Sequence, residues 1–232
     1  DVEIINRTGV QCPICGQAIP IDKIRAQVKE IGFGSQLIGF VCKEKSSKSY
    51  YGYDEEQERI ALQLKPLDPP NSELPEEALG FGVQNYGMTQ YSDLFTSRQL
   101  LALETIGNLI KKTYLDILSS SKGDKVYAKA LSTYLACALS RMTDYHCSLT
   151  TWNPSNENIG HLFQMQTIPM VWDFAEANPI EGPLNFQSAV DWIINSLQTL
   201  PANDFPAHVF QADARSEEIR NQKVVISTDP PY

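Results

Sequence analysis

Lys223-Val224-Val225-Ile226-Ser227-Thr228-Asp229-Pro230-Pro231-Tyr232 is the stretch that decides how the rest of the chain is read. Three β-branched apolar residues in a row predict a strand buried on both faces, as in a parallel sheet. The strand must stop at the prolines, which bring no N–H to a ladder and push the preceding residue away from helix. Asp229 is therefore expected at the carboxyl end of a central strand, where open α/β sheets place their ligands.

A carboxylate, rigid carbonyls and an aromatic ring then meet in four residues, Asp229, Pro230, Pro231 and Tyr232. An extruded adenine offers an exocyclic amino group as donor and a face for stacking. Asp229 and the Pro230 carbonyl would accept the two amino hydrogens and raise electron density on the nitrogen, while Tyr232 stacks on the base. Extrusion costs a few kcal/mol, which stacking and edge hydrogen bonds must offset. The plain alternative is a strand-ending turn, because Asp-Pro-Pro is also ordinary turn chemistry.

Working outward, the 232 residues are 42% hydrophobic and 20% charged, enough for one large core or two small ones. No run approaches the roughly 20 apolar residues of a membrane span, and the first residues are not expected to be a signal peptide. A chain that starts at Asp1 and stops at Tyr232 is expected to be an internal piece of a longer polypeptide, with partners in its upstream and downstream parts. Five unevenly spaced cysteines do not form a secreted disulfide framework, so a cytoplasmic setting is expected. Net charge is −9, an unhelpful balance for phosphate contacts. Residues 96–150 nevertheless carry seven Lys and Arg against four Asp and Glu, the best candidate stretch for touching DNA.

Residues 1–65 read as a small β-rich, ribbon-like unit. Cys12-Pro13-Ile14-Cys15-Gly16 has two thiolates two residues apart, followed by a glycine that lets the turn close. The pair reads as half of a zinc site or as a β-turn whose sulfurs pack as small apolar groups. Cys42 is a third candidate ligand, and structural zinc wants four. A short helix is expected from Pro20 to Glu30, strands at 37–42 and 49–53 around the charged loop Lys43–Lys48, and a helix from Asp54 to about Leu64. Pro66, Pro69, Pro70 and Pro75 mark 66–95 as a linker.

Residues 96–206 read as a helical region. Thr96-Ser97-Arg98-Gln99 is a capping box, and Leu103, Ile106, Ile110, Tyr114 and Ile117 form one apolar face. After a break at 119–123, a second helix carries Leu131, Leu135, Ala138 and Met142, so the two should pack antiparallel. Arg98 is a candidate phosphate contact at the helix start, or one half of a surface ion pair. Trp152–Asn156 reads as a turn into a short helix with Ile159, Leu162 and Phe163. The aromatics of 169–179 are expected to anchor the helices, with Asp173 and Glu176 as polar partners, and Ser188–Leu197 reads as a last helix. Residues 207–232 then give strand, crossover and strand.

The order of Leu94-Phe95-Thr96-Ser97-Arg98-Gln99-Leu100, Pro169-Met170-Val171-Trp172-Asp173-Phe174-Ala175-Glu176 and Ser227–Tyr232 resembles the DUF1156-type adenine-specific DNA methylases. These are amino-group methyltransferases, some described as carrying a zinc ribbon. The resemblance implies an α+β chain whose C-terminal strands belong to a Rossmann-like methyltransferase sheet, with 1–206 inserted between its halves. It implies S-adenosylmethionine as cofactor in the full-length protein and DNA as partner. It also implies that Asp213 meets the cofactor's adenine amino group, although Asp213 equally suits a turn cap. The family's glycine-rich methionine-binding loop is not in this sequence, so the 232 residues alone are expected to be inactive. The competing expectation is a non-catalytic DNA-recognition or scaffolding module of a larger DNA-modification protein.

Overall fold

The computed structural model describes residues 5–6, 9–12, 14–45, 47–76, 80, 82–120, 123–163, 167–200, 212–213 and 227. Residues 1–198 form one compact unit and 199–232 a second. The architecture is α+β: five helices and three small antiparallel sheets among the described residues.

Strands β1 (Ile5–Asn6), β2 (Gly9–Gln11) and β3 (Ala18–Pro20) form a meander, with Val10 opposite Ile19. The Cys-x-x-Cys turn joins β2 to β3. Pro20 ends β3 and, with its backbone still extended at φ −62° and ψ 148°, is the N-cap of α1 (Ile21–Ile31). A second hairpin pairs β4 (Phe40–Lys43) with β5 (Lys48–Tyr51). Gly39 must lack a side chain there, since a Cβ would sit 2.5 Å from the Tyr51 carbonyl oxygen. Asp54 then caps α2 (Glu55–Gln63) by accepting from the Gln57 N–H at 2.8 Å.

The stretch 66–95, read as a linker, contributes buried Leu74, Val83, Met88 and Leu94. Two 3₁₀ turns, Val83–Tyr86 and Tyr91–Leu94, carry the buried Val83 and Leu94. They meet Cys147, Leu149, Leu162 and Ile168 in a core built wholly from irregular segments.

α3 (Ser97–Ser119) opens on the expected capping box. The Gln99 N–H donates to Thr96 Oγ1 at 3.3 Å, and the Thr96 N–H donates to Gln99 Oε1 at 2.8 Å. α4 (Lys125–Thr143) starts at Asp124, whose carboxylate accepts from Val126 and Tyr127. Leu103, early in α3, shares a cluster with Ala138 and Met142, late in α4, as an antiparallel pair requires. α5 (Phe186–Thr199) adds Ala189 to that cluster.

One expectation is corrected. The segment after Trp152 is a hairpin, β6 (Trp152–Asn153) with β7 (Asn158–Ile159), and not a turn into a helix. The Asn153 side chain accepts from the Ser155 and Asn156 N–H groups, and Glu157 adopts φ 49°. That local bonding offers the backbone an alternative to helix. Of the strands expected in 207–232, only Ala212, Asp213 and Ser227 are described, and these are irregular and exposed.

Candidate functional site

The two long segments that carry the resemblance, 94–100 and 169–176, meet at one polar node. Thr96 sets the start of α3, which brings Arg98 onto its first turn. The Arg98 Nε donates to Glu176 Oε2 at 2.5 Å, with side chains 29% and 22% exposed. Charge-assisted bonds of this kind are roughly twice as strong as neutral ones. Backbone bonds brace the same place: the Ser148 N–H donates to the Leu94 carbonyl at 2.8 Å, and the Ala175 N–H to the Thr150 carbonyl at 3.0 Å. The Thr150 hydroxyl returns a bond to the Ala175 carbonyl at 2.6 Å. Glu176 Oε1 and Gln99 Nε2 are buried and have no hydrogen-bond partner among the described residues.

His146 borders this node. Its Nε2 donates to the Leu184 carbonyl at 2.7 Å, which leaves the lone pair on Nδ1. Burial holds its pKa below the ordinary value, against the opposing pull of that bond and of the Glu176 charge. Burial also pushes the neighbouring Cys147 thiol up to about 11, so this sulfur packs as an apolar group. The arrangement is a charge-balanced clamp rather than an acid–base pair: Arg98 neutralises Glu176, and His146 stays uncharged.

Aromatic rings tie α1 to the same region. Trp172 lies edge-on to Tyr86 at 5.2 Å and to Phe33 at 5.9 Å, and the Arg25 guanidinium sits 5.5 Å from the Tyr86 ring centre. Beside them opens a cleft of about 490 Å³ lined by Lys29, Phe33, Pro69, Asp93 and Phe95, among others. Asp93 is already engaged, its Oδ2 accepting from the Thr89 and Gln90 N–H groups at 2.8 Å each.

Cys12 and Cys15 occupy the β2–β3 turn. The Cys12 N–H donates to the Gln17 carbonyl and the Gly16 N–H to the Cys12 carbonyl, both at 2.9 Å, with Gly16 at φ 71°. Backbone N–H groups of Cys15 and Ile14 hold the Cys12 thiol below its usual pKa, which favours the thiolate a metal needs. The turn therefore fits half of a zinc site. Among the described residues no group of three or more metal-ligating side chains gathers, and Cys42 stands exposed on β4.

No match stands beside this geometry: the chain matches no family model, no curated protein and no solved structure. The chemistry must be argued from its own residues. Asp229, Pro230, Pro231 and Tyr232 lie outside the described residues, and Asp213 is exposed in an irregular stretch. Arg98, the candidate phosphate contact, has its Nε committed to Glu176. Sequence reasoning named both Arg98 and Glu176 without joining them, and it gave His146 no role in this node. A histidine within the short polar stretch after a helix was the available signal. No helix among the described residues is long and apolar enough to cross a membrane.

Proposed function

We propose that this chain is part of an S-adenosylmethionine-dependent DNA methyltransferase that modifies the N6 amino group of adenine. The observation that carries the reading is the β-branched run Val224–Ile226 followed at once by Asp229-Pro230-Pro231-Tyr232. An ion pair between Arg98 and Glu176 supports treating segments 94–100 and 169–176 as one unit.

S-adenosylmethionine, when bound, supplies an electrophilic methyl group on a sulfonium. Asp229 and the Pro230 carbonyl accept the two hydrogens of the extruded amino group, which aims the nitrogen lone pair and raises its electron density. Pro231 stiffens the loop, and Tyr232 stacks on the base, worth about 1–3 kcal/mol by analogy with base–aromatic stacking on single strands. A carboxylate such as Asp213 is a fitting acceptor for the adenine amino group of the cofactor. In this reading the last strands belong to a Rossmann-like sheet, and Cys12 and Cys15 supply two thiolates to a zinc ion.

The test is methyl transfer from labelled S-adenosylmethionine to unmethylated duplex DNA by the complete polypeptide. Transfer that Asp229→Ala abolishes is expected, with no transfer by the 232 residues alone. DNA binding without any methylation by the complete protein would overturn the catalytic reading in favour of a recognition module.

A further inference from the structure

We propose that the cleft between α1 and the start of α3 binds a free mononucleotide whose base carries an exocyclic amino group. Its volume of about 490 Å³ lies within the roughly 300–1,000 Å³ of small-molecule sites. The residues around it offer three kinds of contact: ring surface, one cation and one open acceptor.

Ring surface comes from Phe33, Tyr86 and Phe95, with Pro69 in the same lining. Trp172 braces two of these rings, at 5.2 Å from Tyr86 and 5.9 Å from Phe33, yet Phe33 remains 42% exposed. A flat heteroaromatic base suits such rings, because every base has a π-face to stack.

The cation is Lys29, the only basic side chain in the lining. Gly87 makes room for its stem. The glycine sits at φ 87°, and a Cβ there would stand 3.3 Å from Lys29 Cγ and 3.6 Å from Lys29 Cα. Lys29 forms no ion pair among the described residues. Arg25, one turn earlier on α1, is committed to Asp22 at 3.6 Å and to the Tyr86 ring at 5.5 Å. Glu30 does not line the cleft. One lysine serves one phosphate group and not a strand of them, and a net charge of −9 also opposes a polyanion. The occupant is therefore a free nucleotide and not nucleic acid.

The acceptor is Asp93, the only acidic side chain in the lining. Its Oδ2 takes the Thr89 and Gln90 N–H groups at 2.8 Å each, which fixes the carboxylate, while Oδ1 accepts no hydrogen bond among the described residues. An ionised carboxylate only accepts, so the ligand must bring a donor as well as an anion. The amino group of adenine meets that demand. The carbonyl oxygen that hypoxanthine carries in its place would set acceptor against acceptor.

The experiment is calorimetric titration of adenosine monophosphate, inosine monophosphate and adenosine into the full 232-residue chain at low salt. Adenosine monophosphate is expected to saturate one site and to bind about tenfold more tightly than inosine monophosphate. Lys29→Gln should weaken adenosine monophosphate about fivefold and leave adenosine unchanged. Asp93→Asn keeps an oxygen for the Thr89 and Gln90 N–H groups and replaces the open acceptor with an amide donor. The preference should then pass to inosine monophosphate, a reversal that a folding defect would not produce. Phe33→Ala should weaken adenosine and its monophosphate alike, by about tenfold. Lys23→Gln, exposed on α1 outside the cleft, should leave all three unchanged. The inference is overturned if adenosine monophosphate shows no saturable binding in the millimolar range, or if inosine monophosphate binds equally well. It is equally overturned if Asp93→Asn keeps the wild-type order, if Lys29→Gln binds like wild type, or if a single-stranded oligodeoxyadenylate binds more tightly than the mononucleotide.

Discussion

Two cores lie on either side of Phe95, and they hold together by different means. The helical core joins Leu103, Ala138, Met142 and Ala189 from three helices whose backbone groups are satisfied within each helix. The loop-built core of Leu74, Val83, Met88, Leu94, Cys147, Leu149, Leu162 and Ile168 has no such provision. Its backbone needs partners across segments, and finds them in Leu74 N–H to Thr89, Gly82 N–H to Ile168 and Leu162 N–H to Asp144. Burial and hydrogen bonding are therefore coupled in the loop core and nearly independent in the helical one. The ion-pair node sits where the coupled core meets the start of α3.

The largest effects should come from emptying each core. Ile168→Ala is expected to cost about 3–4 kcal/mol and Met142→Ala about 2–3, because packed helices can close part of a cavity while cross-bonded loops cannot. Urea denaturation of both variants checks the order, and the reverse order would break the comparison.

Cutting the node comes next. Glu176→Ala or Arg98→Ala should cost about 1–2 kcal/mol, less than a fully buried pair because both side chains retain some solvent. A double mutant whose loss is well below the sum of the singles would show the two acting as one pair. Thr96→Ala removes one arm of the cap and should cost about 1 kcal/mol, read from the same urea curves.

The smallest effect is a pH slope. His146 has a folded pKa below its ordinary 6.5. Below that pH the unfolded chain takes up a proton that the folded chain resists, so stability falls as pH drops from about 6.5 toward the folded value. The urea midpoint should fall between pH 7.5 and 5.5, and less so in His146→Gln, which keeps a donor for the Leu184 carbonyl. An equal slope in both proteins would place the titrating group elsewhere.

These contrasts also explain what the sequence made legible. The α3–α4 hairpin could be read because Thr96, Gln99 and Asp124 are local caps and the apolar spacing is regular. The loop core could not, because Leu74, Val83 and Ile168 follow no period and the prolines around Leu74 point to a linker. The β6–β7 hairpin was masked by Ile159, Leu162 and Phe163, whose spacing imitates a helix while Asn153 bonds the backbone into a turn. The Arg98–Glu176 pair spans 78 residues, so each partner was visible and their meeting was not. The Asp229–Tyr232 motif is legible as chemistry in the sequence, and its placement lies outside the described residues.

The most direct measurement of the central claim is the modified base itself. DNA from cells expressing the complete protein, digested to nucleosides and weighed by mass spectrometry, should contain N6-methyladenine that disappears with Asp229→Ala. N6-methyladenine undiminished in that variant, or N4-methylcytosine in its place, would contradict the account.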